Sequence, residues 1–404
     1  MTISWVPVPP ESHFPIANLP YGVASRRSGP SGQERDIAPP RPVVRIGDHV
    51  LPLSVTGNGL FDAATLNPFL AAGPDTWDAV RARLIELLTD KAHRPWVEPL
   101  LIPVAEVITH LPFEVADYVD FYASEHHAAN VGRLFRPDTE PLLPNWKHLP
   151  VGYHGRAGTV VVSCTDIVRP CGQRNTPDGP VYGASRRLDI EAEVGFVVGM
   201  PSELGSRVST RDFADHVFGA VLVNDWSARD VQAWEYVPLG PFLGKSFATS
   251  ISPWVVPLAA LADARVAGPA QDPPVLDYLR EDEPWGLDLD MEVRWNGHPV
   301  SRPPFRTMYW SAAQQLAHLT VNGASLRTGD LFASGTVSGP AKDQRGSFLE
   351  LTWDGAEPVT LPDGTSRTFL EDGDDVSITA TAPGLGGSRI GFGEVTGRIL
   401  PARP

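Results

Sequence analysis

The sequence contains little cysteine, little lysine and no long hydrophobic run. Its two cysteines, Cys164 and Cys171, are too few for a disulfide framework or a four-cysteine zinc site. No apolar stretch approaches the roughly 18 residues needed to cross a bilayer. The N-terminus also lacks the basic and apolar segments of a secretory signal. We therefore expect a reduced, cytoplasmic protein that does not insert into membranes.

Positive charge is scarce as well. The chain has 33 Lys and Arg against 48 Asp and Glu, a formal net charge of −15, and only four of its 404 residues are lysine. Because phosphate contacts need clustered basic residues, this balance argues against nucleic-acid binding and against docking on an anionic membrane. The 37 glycines and 41 prolines indicate many turns and long, structured loops around strands.

Hydrophobic patterning predicts a strand-rich chain with few helices. Strands are predicted at residues 43–46, 50–55, 159–163, 188–198, 218–223, 285–295, 348–353 and 376–380. Helices are predicted at residues 75–92, 211–217, 229–236 and 308–319. These elements indicate a β-dominated α+β fold. A boundary near residue 115 divides the chain into an N-terminal domain, 1–115, and a C-terminal domain, 116–404.

Two glutamates two residues apart are the first candidate site. On the predicted strand 188–198, Glu191 and Glu193 project side by side, roughly 6–7 Å apart along the chain. That spacing lets both carboxylates reach one hard cation such as Mg²⁺ or Ca²⁺. A solvated strand face remains the alternative, because the same acidic alternation recurs at residues 288, 290 and 292 without any neighbouring feature of a site.

Other polar residues stand out beside apolar runs. Asp225 ends the apolar run 218–223, where a carboxylate would be costly to bury without a partner. Asp120 precedes the pair His126-His127, of which at most one can face a single site from a regular strand. Lys245 follows a glycine-rich turn in a chain almost without lysine, which indicates a specific role, although an ordinary surface lysine remains the alternative.

Two further motifs do not fit their usual functions. Residues 240–246 resemble a phosphate-binding loop, but three residues separate the glycines where four are needed. Residues 334–339 lack the Gly-x-Ser-x-Gly arrangement of a serine-hydrolase nucleophile turn.

Several long strings nevertheless resemble the fumarylacetoacetate hydrolase family. They are Asp120-Phe-Tyr with His126-His127, Leu143-Pro-Asn-Trp, Leu149-Pro-Val-Gly-Tyr-His-Gly-Arg156, Asn224-Asp-Trp-Ser-Ala-Arg-Asp230, Trp234-Glu-Tyr-Val-Pro-Leu-Gly-Pro-Phe-Leu-Gly-Lys-Ser-Phe247 and Ser334-Gly-Thr-Val-Ser-Gly339. The segment Phe14–Val23 is similar to the family's small N-terminal domain, so the resemblance covers nearly the whole chain. One departure is Ala248, where the family pattern has glycine.

The resemblance implies a small SH3-like barrel domain followed by a large mixed β-sandwich roll domain, assembled as a homodimer. It implies a Mg²⁺ or Ca²⁺ ion with the ligands Asp120, Glu191, Glu193 and Asp225, and with Lys245 and Thr249 close to it. The implied catalytic residues are His127 as base, Glu350 as the acid that orients it, and Lys245, Arg229 and Gln232 as the oxyanion-stabilising group. The implied substrate contacts are Tyr122, Arg136, Tyr153, Gln232, Tyr236 and Thr336.

The implied reaction is hydrolysis of a carbon–carbon bond in 4-fumarylacetoacetate, a diketo-diacid, to fumarate and acetoacetate. In the family this is the last step of phenylalanine and tyrosine degradation. One alternative is another oxo-acid enzyme of the same superfamily, such as an acylpyruvase, isomerase or decarboxylase. A second is a non-catalytic acidic protein that uses the same carboxylates to hold Ca²⁺.

Overall fold

Among the described residues, three large β-sheets, four two-stranded ribbons and mostly short helices form a strand-rich, mixed α/β fold. The computed structural model describes residues 3–27 and 39–403. Within those residues no helix has both the length and the apolar character needed to span a bilayer.

The first sheet, here called the N-terminal sheet, contains five antiparallel strands. Its strands are Tyr21–Arg26, Arg41–Ile46, His49–Pro52, Ile102–Pro103 and Val107–His110. Their spatial order places Ile102–Pro103 at one edge and Val107–His110 at the other. A tight turn at Gly47, whose φ of +53° glycine adopts without strain, joins the second and third strands.

The central sheet is the largest and has mixed strand directions. Its strands are Tyr118–Phe121, Gly152–His154, Val160–Val162, Ala192–Val198, Val217–Asp225, Thr249–Ile251, Val256–Pro257 and Leu331–Ala333. Tyr118–Phe121 and Leu331–Ala333 pair in parallel, whereas Ala192–Val198 and Val217–Asp225 pair antiparallel.

The third sheet, here called the C-terminal sheet, has five strands: Ile167–Val168, Asp290–Trp295, His298–Ser301, Asp375–Gly384 and Ser388–Leu400. Asn296 and Gly297 have positive φ and form the hairpin turn between Trp295 and His298, a turn that the Asn-Gly pair favours. Four two-stranded ribbons complete the β structure: Cys171–Arg174 with Val181–Ala184, Leu188–Asp189 with Ser227–Ala228, Arg265–Val266 with Gly286–Leu287, and Val359–Thr360 with Ser366–Arg367.

The helices are short apart from one in the N-terminal part of the chain. The α-helices are Asn67–Leu70, Pro74–Thr89, Arg94–Val97, Glu125–Phe135, Phe213–His216, Arg229–Glu235, Ala312–Thr320 and Phe348–Leu351. The 3₁₀ helices are Leu53–Thr56, Gly59–Phe61, Glu98–Leu100, Val104–Glu106, Ala157–Thr159, Thr210–Asp212, Leu243–Lys245, Leu258–Ala264, Asp277–Leu279, Phe305–Thr307, Lys342–Gln344 and Leu385–Gly387.

Both faces of the central sheet are buried. On the strand Val217–Asp225, Val221 and Val223 pack with the N-terminal sheet and its helices. Ala220 and Leu222, on the opposite face, pack with residues of the C-terminal sheet. This double burial explains why residues 218–223 read as a continuous apolar run instead of an alternating one.

Several predicted elements differ from the structure. The strand predicted at residues 50–55 ends at Pro52, before the 3₁₀ helix Leu53–Thr56, and the strand predicted at 285–295 is split into Gly286–Leu287 and Asp290–Trp295. Residues 348–353 were expected to form a strand, but Phe348–Leu351 is a short helix. Ser347 caps it, with its Oγ accepting a hydrogen bond from the Glu350 amide at 3.3 Å. The Ser-x-x-Glu spacing of a helix start therefore outweighs the apolar character of the segment. The predicted strand 188–198 is also interrupted, since Leu188–Asp189 leaves the central sheet to pair with Ser227–Ala228.

Candidate active site

The four predicted metal ligands meet at one end of the central sheet. Asp120, Glu193 and Asp225 lie on three strands of this sheet and share the face that packs against the N-terminal part of the chain. The strands of Glu193 and Asp225 are adjacent, and Leu331–Ala333 lies between the strands of Asp120 and Glu193. Glu191 immediately precedes the strand Ala192–Val198, and its carbonyl accepts a hydrogen bond from the Asp225 amide at 3.1 Å. The strand register therefore brings together residues separated by up to about a hundred positions in sequence.

These carboxylates form a tight, buried cluster. One oxygen from each of Asp120, Glu191, Glu193 and Asp225 lies within 4.8 Å of the others, and all four residues are buried. Within the described part of the chain, neither oxygen of Glu193 has a hydrogen-bond partner, and neither does Asp120 Oδ1. Unpartnered buried carboxylate oxygens are costly, and a hard divalent cation prefers oxygen ligands. The donor set therefore fits a divalent ion.

Lys245 and Thr249 lie beside the cluster, and so does Tyr153, which the resemblance places among the substrate contacts. Lys245 Nζ donates to Asp225 Oδ2 at 2.8 Å and also to Glu191 Oε2. Thr249 Oγ1 donates to Asp225 Oδ1 at 3.2 Å. The Tyr153 hydroxyl lies 2.8 Å from Asp120 Oδ2 and 2.9 Å from Asp225 Oδ2. Since one hydroxyl carries one hydrogen, it serves one of these two carboxylates at a time.

The pKa values of the cluster shift in opposite directions, because burial and like charges raise two of them and neighbouring cations lower a third. Burial, together with the charge of Asp225, raises the pKa of Asp120 well above its usual range. Burial and the charges of Asp120 and Glu191 do the same to the pKa of Glu193. For Glu191 the effect of burial is outweighed by nearby cations, Lys245 first among them, so its pKa is lowered. These directions predict that Asp120 and Glu193 take up protons more readily than free carboxyls do, and that a bound cation would displace those protons.

A histidine–carboxylate pair lies beside the carboxylate cluster. His127 Nδ1 is 2.7 Å from Glu350 Oε2, and both side chains are almost fully buried. The other ring nitrogen, His127 Nε2, is 3.8 Å from Glu191 Oε1 and therefore faces the cluster. If Nδ1 carries the hydrogen bonded to Glu350, Nε2 is free to accept a proton.

Three residues that support Glu350 were not predicted from the sequence. Asn130 Nδ2 donates to Glu350 Oε1 at 2.9 Å, while Ser338 Oγ and Ser347 Oγ donate to Glu350 Oε2 at 3.0 and 2.8 Å. Sequence signals could have found two of them. Asn130 lies three positions after His127 on the helix Glu125–Phe135, and Ser347 begins a Ser-x-x-Glu pattern.

The predicted oxyanion group adjoins the same cluster. Arg229 is 2% exposed, and one terminal nitrogen lies 2.8 Å from Glu191 Oε1. Its other terminal nitrogen donates to Gln232 Oε1 at 3.1 Å. The helix Arg229–Glu235 presents both residues on one face, three positions apart. Burial opposes the charge of Arg229, but Glu191 and Asp189 outweigh it and raise its pKa.

Of the remaining predicted residues, Tyr122 contacts His127 directly. The Tyr122 ring meets the His127 ring edge to face, with centroids 5.2 Å apart. Arg136 follows the helix Glu125–Phe135, and its Nε is buried without a hydrogen-bond partner among the described residues. Tyr236 stacks on Phe135, the neighbour of Arg136. Thr336 is also buried, and its hydroxyl has no partner in the described chain.

Comparison with known proteins identifies the family. Residues 117–400 match the family model described as fumarylacetoacetate hydrolase C-terminal, and residues 17–112 match fumarylacetoacetase N-terminal. The chain belongs to the fumarylacetoacetate hydrolase family. It is 47% identical to the fumarylacetoacetase of Homo sapiens over 424 residues and 48% identical to that of Caenorhabditis elegans over 427, covering 99% of this chain and of each relative. The Arabidopsis thaliana fumarylacetoacetase is 45% identical, with the same coverage.

Two solved structures share the fold of this chain. A fumarylacetoacetate hydrolase from Exiguobacterium antarcticum superposes with a TM-score of 0.54, covering 95% of this chain and 100% of that one, at 16% identity. A maleylpyruvate hydrolase from Sphingobium, in complex with manganese(II) and pyruvate, gives a TM-score of 0.50 at 15% identity, covering 94% and 100%. Identities this low support the shared fold alone.

Proposed function

We propose that this protein hydrolyses a carbon–carbon bond of 4-fumarylacetoacetate to give fumarate and acetoacetate. The observation that carries the proposal is the buried His127–Glu350 pair, whose free ring nitrogen faces a cluster of four carboxylates. Full-length similarity to fumarylacetoacetases at 45–48% identity supports the same activity. The alternative of a non-catalytic Ca²⁺-binding protein gives no reason for a histidine–carboxylate pair beside the acidic cluster.

In the proposed reaction, His127 Nε2 accepts a proton from water while Glu350 holds the other ring nitrogen in its protonated form. The water oxygen bonds to the carbonyl carbon of the fumaroyl group, and the adjoining carbon–carbon bond breaks. The electron pair leaves with the acetoacetate carbon, which is then protonated. Lys245, Arg229 and Gln232 stabilise the oxyanion that forms on the attacked carbonyl, at about 3 kcal/mol for each donor.

We propose Mg²⁺ or Ca²⁺ as the resident ion. Asp120, Glu191, Glu193 and Asp225 would hold it, and the charged Lys245 and the Thr249 hydroxyl border the site. When bound, the ion would supply Lewis-acid stabilisation of the diketone oxygens.

We assign substrate binding to the residues that the family resemblance implies as substrate contacts. Arg136 pairs with a terminal carboxylate of the diacid, and the hydroxyls of Tyr122, Tyr153, Tyr236 and Thr336, together with Gln232, complete its polar contacts. The unpartnered Arg136 Nε and Thr336 hydroxyl support this assignment, because a buried polar group without a partner is costly. Arg136→Met should raise KM by about tenfold or more with a smaller change in kcat.

The activity is tested by incubating the protein with fumarylacetoacetate and a divalent ion. Loss of the diketone absorbance and release of fumarate are both expected. His127→Ala should abolish turnover while ion binding survives, and His126→Ala is the matched control that keeps activity. If the wild-type protein leaves fumarylacetoacetate intact, the proposed function is wrong; if His127→Ala retains near wild-type rates, the assigned base is wrong.

The ion site is tested by calorimetry with Mg²⁺ and Ca²⁺. The double variant Glu191→Ala, Glu193→Ala should lose ion binding, because it removes two of the four ligands. Asp290→Ala with Glu292→Ala is a matched control, since these acids have the same spacing on an exposed strand and pair with surface arginines. Unchanged ion affinity in the first double variant would contradict the assignment.

We further propose a division into an SH3-like N-terminal domain, residues 1–115, and a β-sandwich roll domain, residues 116–404, in a cytoplasmic homodimer. The segment 234–243 supports the dimer, because it exposes five large apolar side chains: Trp234, Val237, Leu239, Phe242 and Leu243. Light scattering should give twice the chain mass of 43.7 kDa. Leu239→Asp should shift the mass toward the monomer, whereas Leu204→Asp, at a similarly exposed leucine, should not; a monomeric wild type would contradict the proposal.

A further inference from the structure

Asp189 is a fully buried carboxylate that the proposed reaction does not use. It has no exposed surface, and it accepts four hydrogen bonds. Oδ1 accepts from the amides of Ile190 and Phe348, both at 2.7 Å. Oδ2 accepts from Arg229 Nε at 2.8 Å and from the Leu349 amide at 3.0 Å. Both carboxylate oxygens are therefore fully engaged, and they join two separate parts of the active site.

One of these parts is Arg229. The backbone next to Asp189 pairs with the strand Ser227–Ala228, and the Arg229 amide donates to the Arg187 carbonyl at 2.9 Å. Because Asp189 holds Nε, the plane of the guanidinium is fixed. One terminal nitrogen then forms the ion pair with Glu191 at 2.8 Å, and the other donates the hydrogen bond to Gln232 at 3.1 Å.

The other part is the short helix that carries Glu350. A helix start leaves its first amides without partners. Asp189 accepts from the amides of Phe348 and Leu349, and the Ser347 hydroxyl accepts from the amide of Glu350. The first turn of Phe348–Leu351 is therefore completed from outside the helix, and Asp189 supplies two of the three acceptors.

We propose that Asp189 is a positioning residue that sets Arg229 and the Glu350 helix relative to each other. The inference rests on the proposed function, in which Arg229 stabilises the oxyanion and Glu350 orients the catalytic base. A carboxylate is required because four donors converge on two oxygens. In an asparagine, the amide nitrogen would face at least one donor and could not accept from it.

Kinetics of Asp189→Asn test the positioning role. A misplacement of about 1 Å or the loss of one oxyanion donor lowers kcat about 10²-fold, so we expect that loss in kcat with KM changed less than about threefold. The matched control is Asp374→Asn: Asp374 is also buried and accepts from the Glu371 amide and from Asn296 Nδ2, both at 2.8 Å, outside the site. An equal fall in kcat for both variants, or no fall for Asp189→Asn, would overturn the inference.

A double-mutant cycle separates this role from a general loss of stability. Since Asp189 acts through both Arg229 and the Glu350 helix, adding Asp189→Asn to Arg229→Gln should lower kcat by a smaller factor than Asp189→Asn does in the wild-type protein. The same attenuation is expected on adding Asp189→Asn to Glu350→Gln. Full multiplicative losses in both cycles would mean that Asp189 acts independently of the two groups.

Hydrogen exchange provides a test that does not depend on turnover. In the wild-type protein the amides of Phe348 and Leu349 should be protected, and in Asp189→Asn they should exchange at least about tenfold faster, with no such change in Asp374→Asn. Unprotected wild-type amides would overturn the inference even if the variant failed to fold. If the wild-type protein does not hydrolyse fumarylacetoacetate, the proposed function fails, and the exchange rates alone decide whether Asp189 organises the helix.

Discussion

Glu350 illustrates how single residues control the proposed chemistry. Its buried carboxylate accepts from His127, Asn130, Ser338 and Ser347. Burial alone would raise the pKa of Glu350, but the adjacent His127 and these hydrogen bonds outweigh it, and the pKa is lowered. Glu350 therefore stays ionised in the interior, as an orienting partner for an imidazolium must.

Replacing Glu350 with glutamine removes that charge at nearly constant volume. His127 loses the acceptor that fixes its tautomer, so kcat should fall about 10²- to 10⁴-fold, with KM changed little. Steady-state kinetics measure the effect, and Glu357→Gln, at an exposed glutamate paired with Lys342, is the control. A kcat for Glu350→Gln within about threefold of wild type would contradict the assigned role.

The raised pKa values of Asp120 and Glu193 predict how ion binding depends on pH. These carboxyls are protonated more readily in the folded, metal-free protein than in the unfolded chain, so their protonation stabilises the fold at low pH. That contribution is lost as the pH rises through the raised values. Ion binding must expel the protons, so affinity and ion-induced thermal stabilisation should both be greater at about pH 8 than at about pH 6.

Calorimetry in buffers of different ionisation enthalpy measures the protons released. We expect net release at about pH 6 and less at about pH 8. Proton uptake on ion binding, or an affinity that does not change with pH, would contradict the predicted protonation of the cluster.

At the scale of an element, the helix Phe348–Leu351 depends on Ser347. Its hydroxyl accepts from the Glu350 amide and donates to the Glu350 carboxylate. Ser347→Ala should lower the free energy of unfolding by about 1 kcal/mol and should also lower kcat, because Glu350 loses one of its donors. Denaturant unfolding and steady-state kinetics measure the two effects.

Ser311 is the matched control for that prediction. It caps the helix Ala312–Thr320, where its hydroxyl accepts from the Gln314 amide at 3.1 Å and donates to Glu281. Ser311→Ala should cost about the same stability without changing kcat, since Glu281 lies outside the proposed site. Equal kinetic effects of the two variants would indicate that lost stability alone explains both.

Helices, strands and turns could be predicted where a short sequence pattern has a local conformational preference. They were less predictable where tertiary packing decides which segments pair. The Asn296-Gly297 hairpin and the helix beginning at Arg229 follow from local signals and are present. The break after Asp189 does not follow from alternation. Residues 188–194 alternate throughout, but Leu188–Asp189 pairs with a strand that the chain reaches only at residue 227. Such a pairing is set by the tertiary structure.

For the whole molecule, one close contact between the N-terminal sheet and the rest of the chain lies at Trp254. Tyr21 and Val255 exchange backbone hydrogen bonds of 2.9 and 2.7 Å. Trp254 packs with the apolar residues Ala24, Val43, Val50 and Val107 of that sheet. A Cβ at Gly22 would lie 2.7 Å from both the Pro253 carbonyl and the Trp254 ring. The two regions therefore approach at a distance that only glycine permits.

Gly22→Ala should consequently destabilise the protein by about 1–3 kcal/mol, because the backbone or the indole must shift. Gly158→Ala is the control: a Cβ there meets no atom within 4 Å, so its stability should be unchanged or slightly higher. Denaturant unfolding of both variants measures the difference. If Gly22→Ala is as stable as Gly158→Ala, the close approach at Trp254 does not constrain the fold.

The sequence by itself determined the family, the strand-rich character and the residue types of the site, because these depend on local strings and composition. It did not distinguish Glu191 and Glu193 from Asp290 and Glu292, which have the same spacing on predicted strands. Only the tertiary structure did so: it buries the first pair between packed layers beside Asp120 and Asp225, and it leaves the second on the solvent-facing side of the strand Asp290–Trp295, beside surface arginines. Burial raises the cost of unpaired charge, and that cost is a property of the surrounding fold.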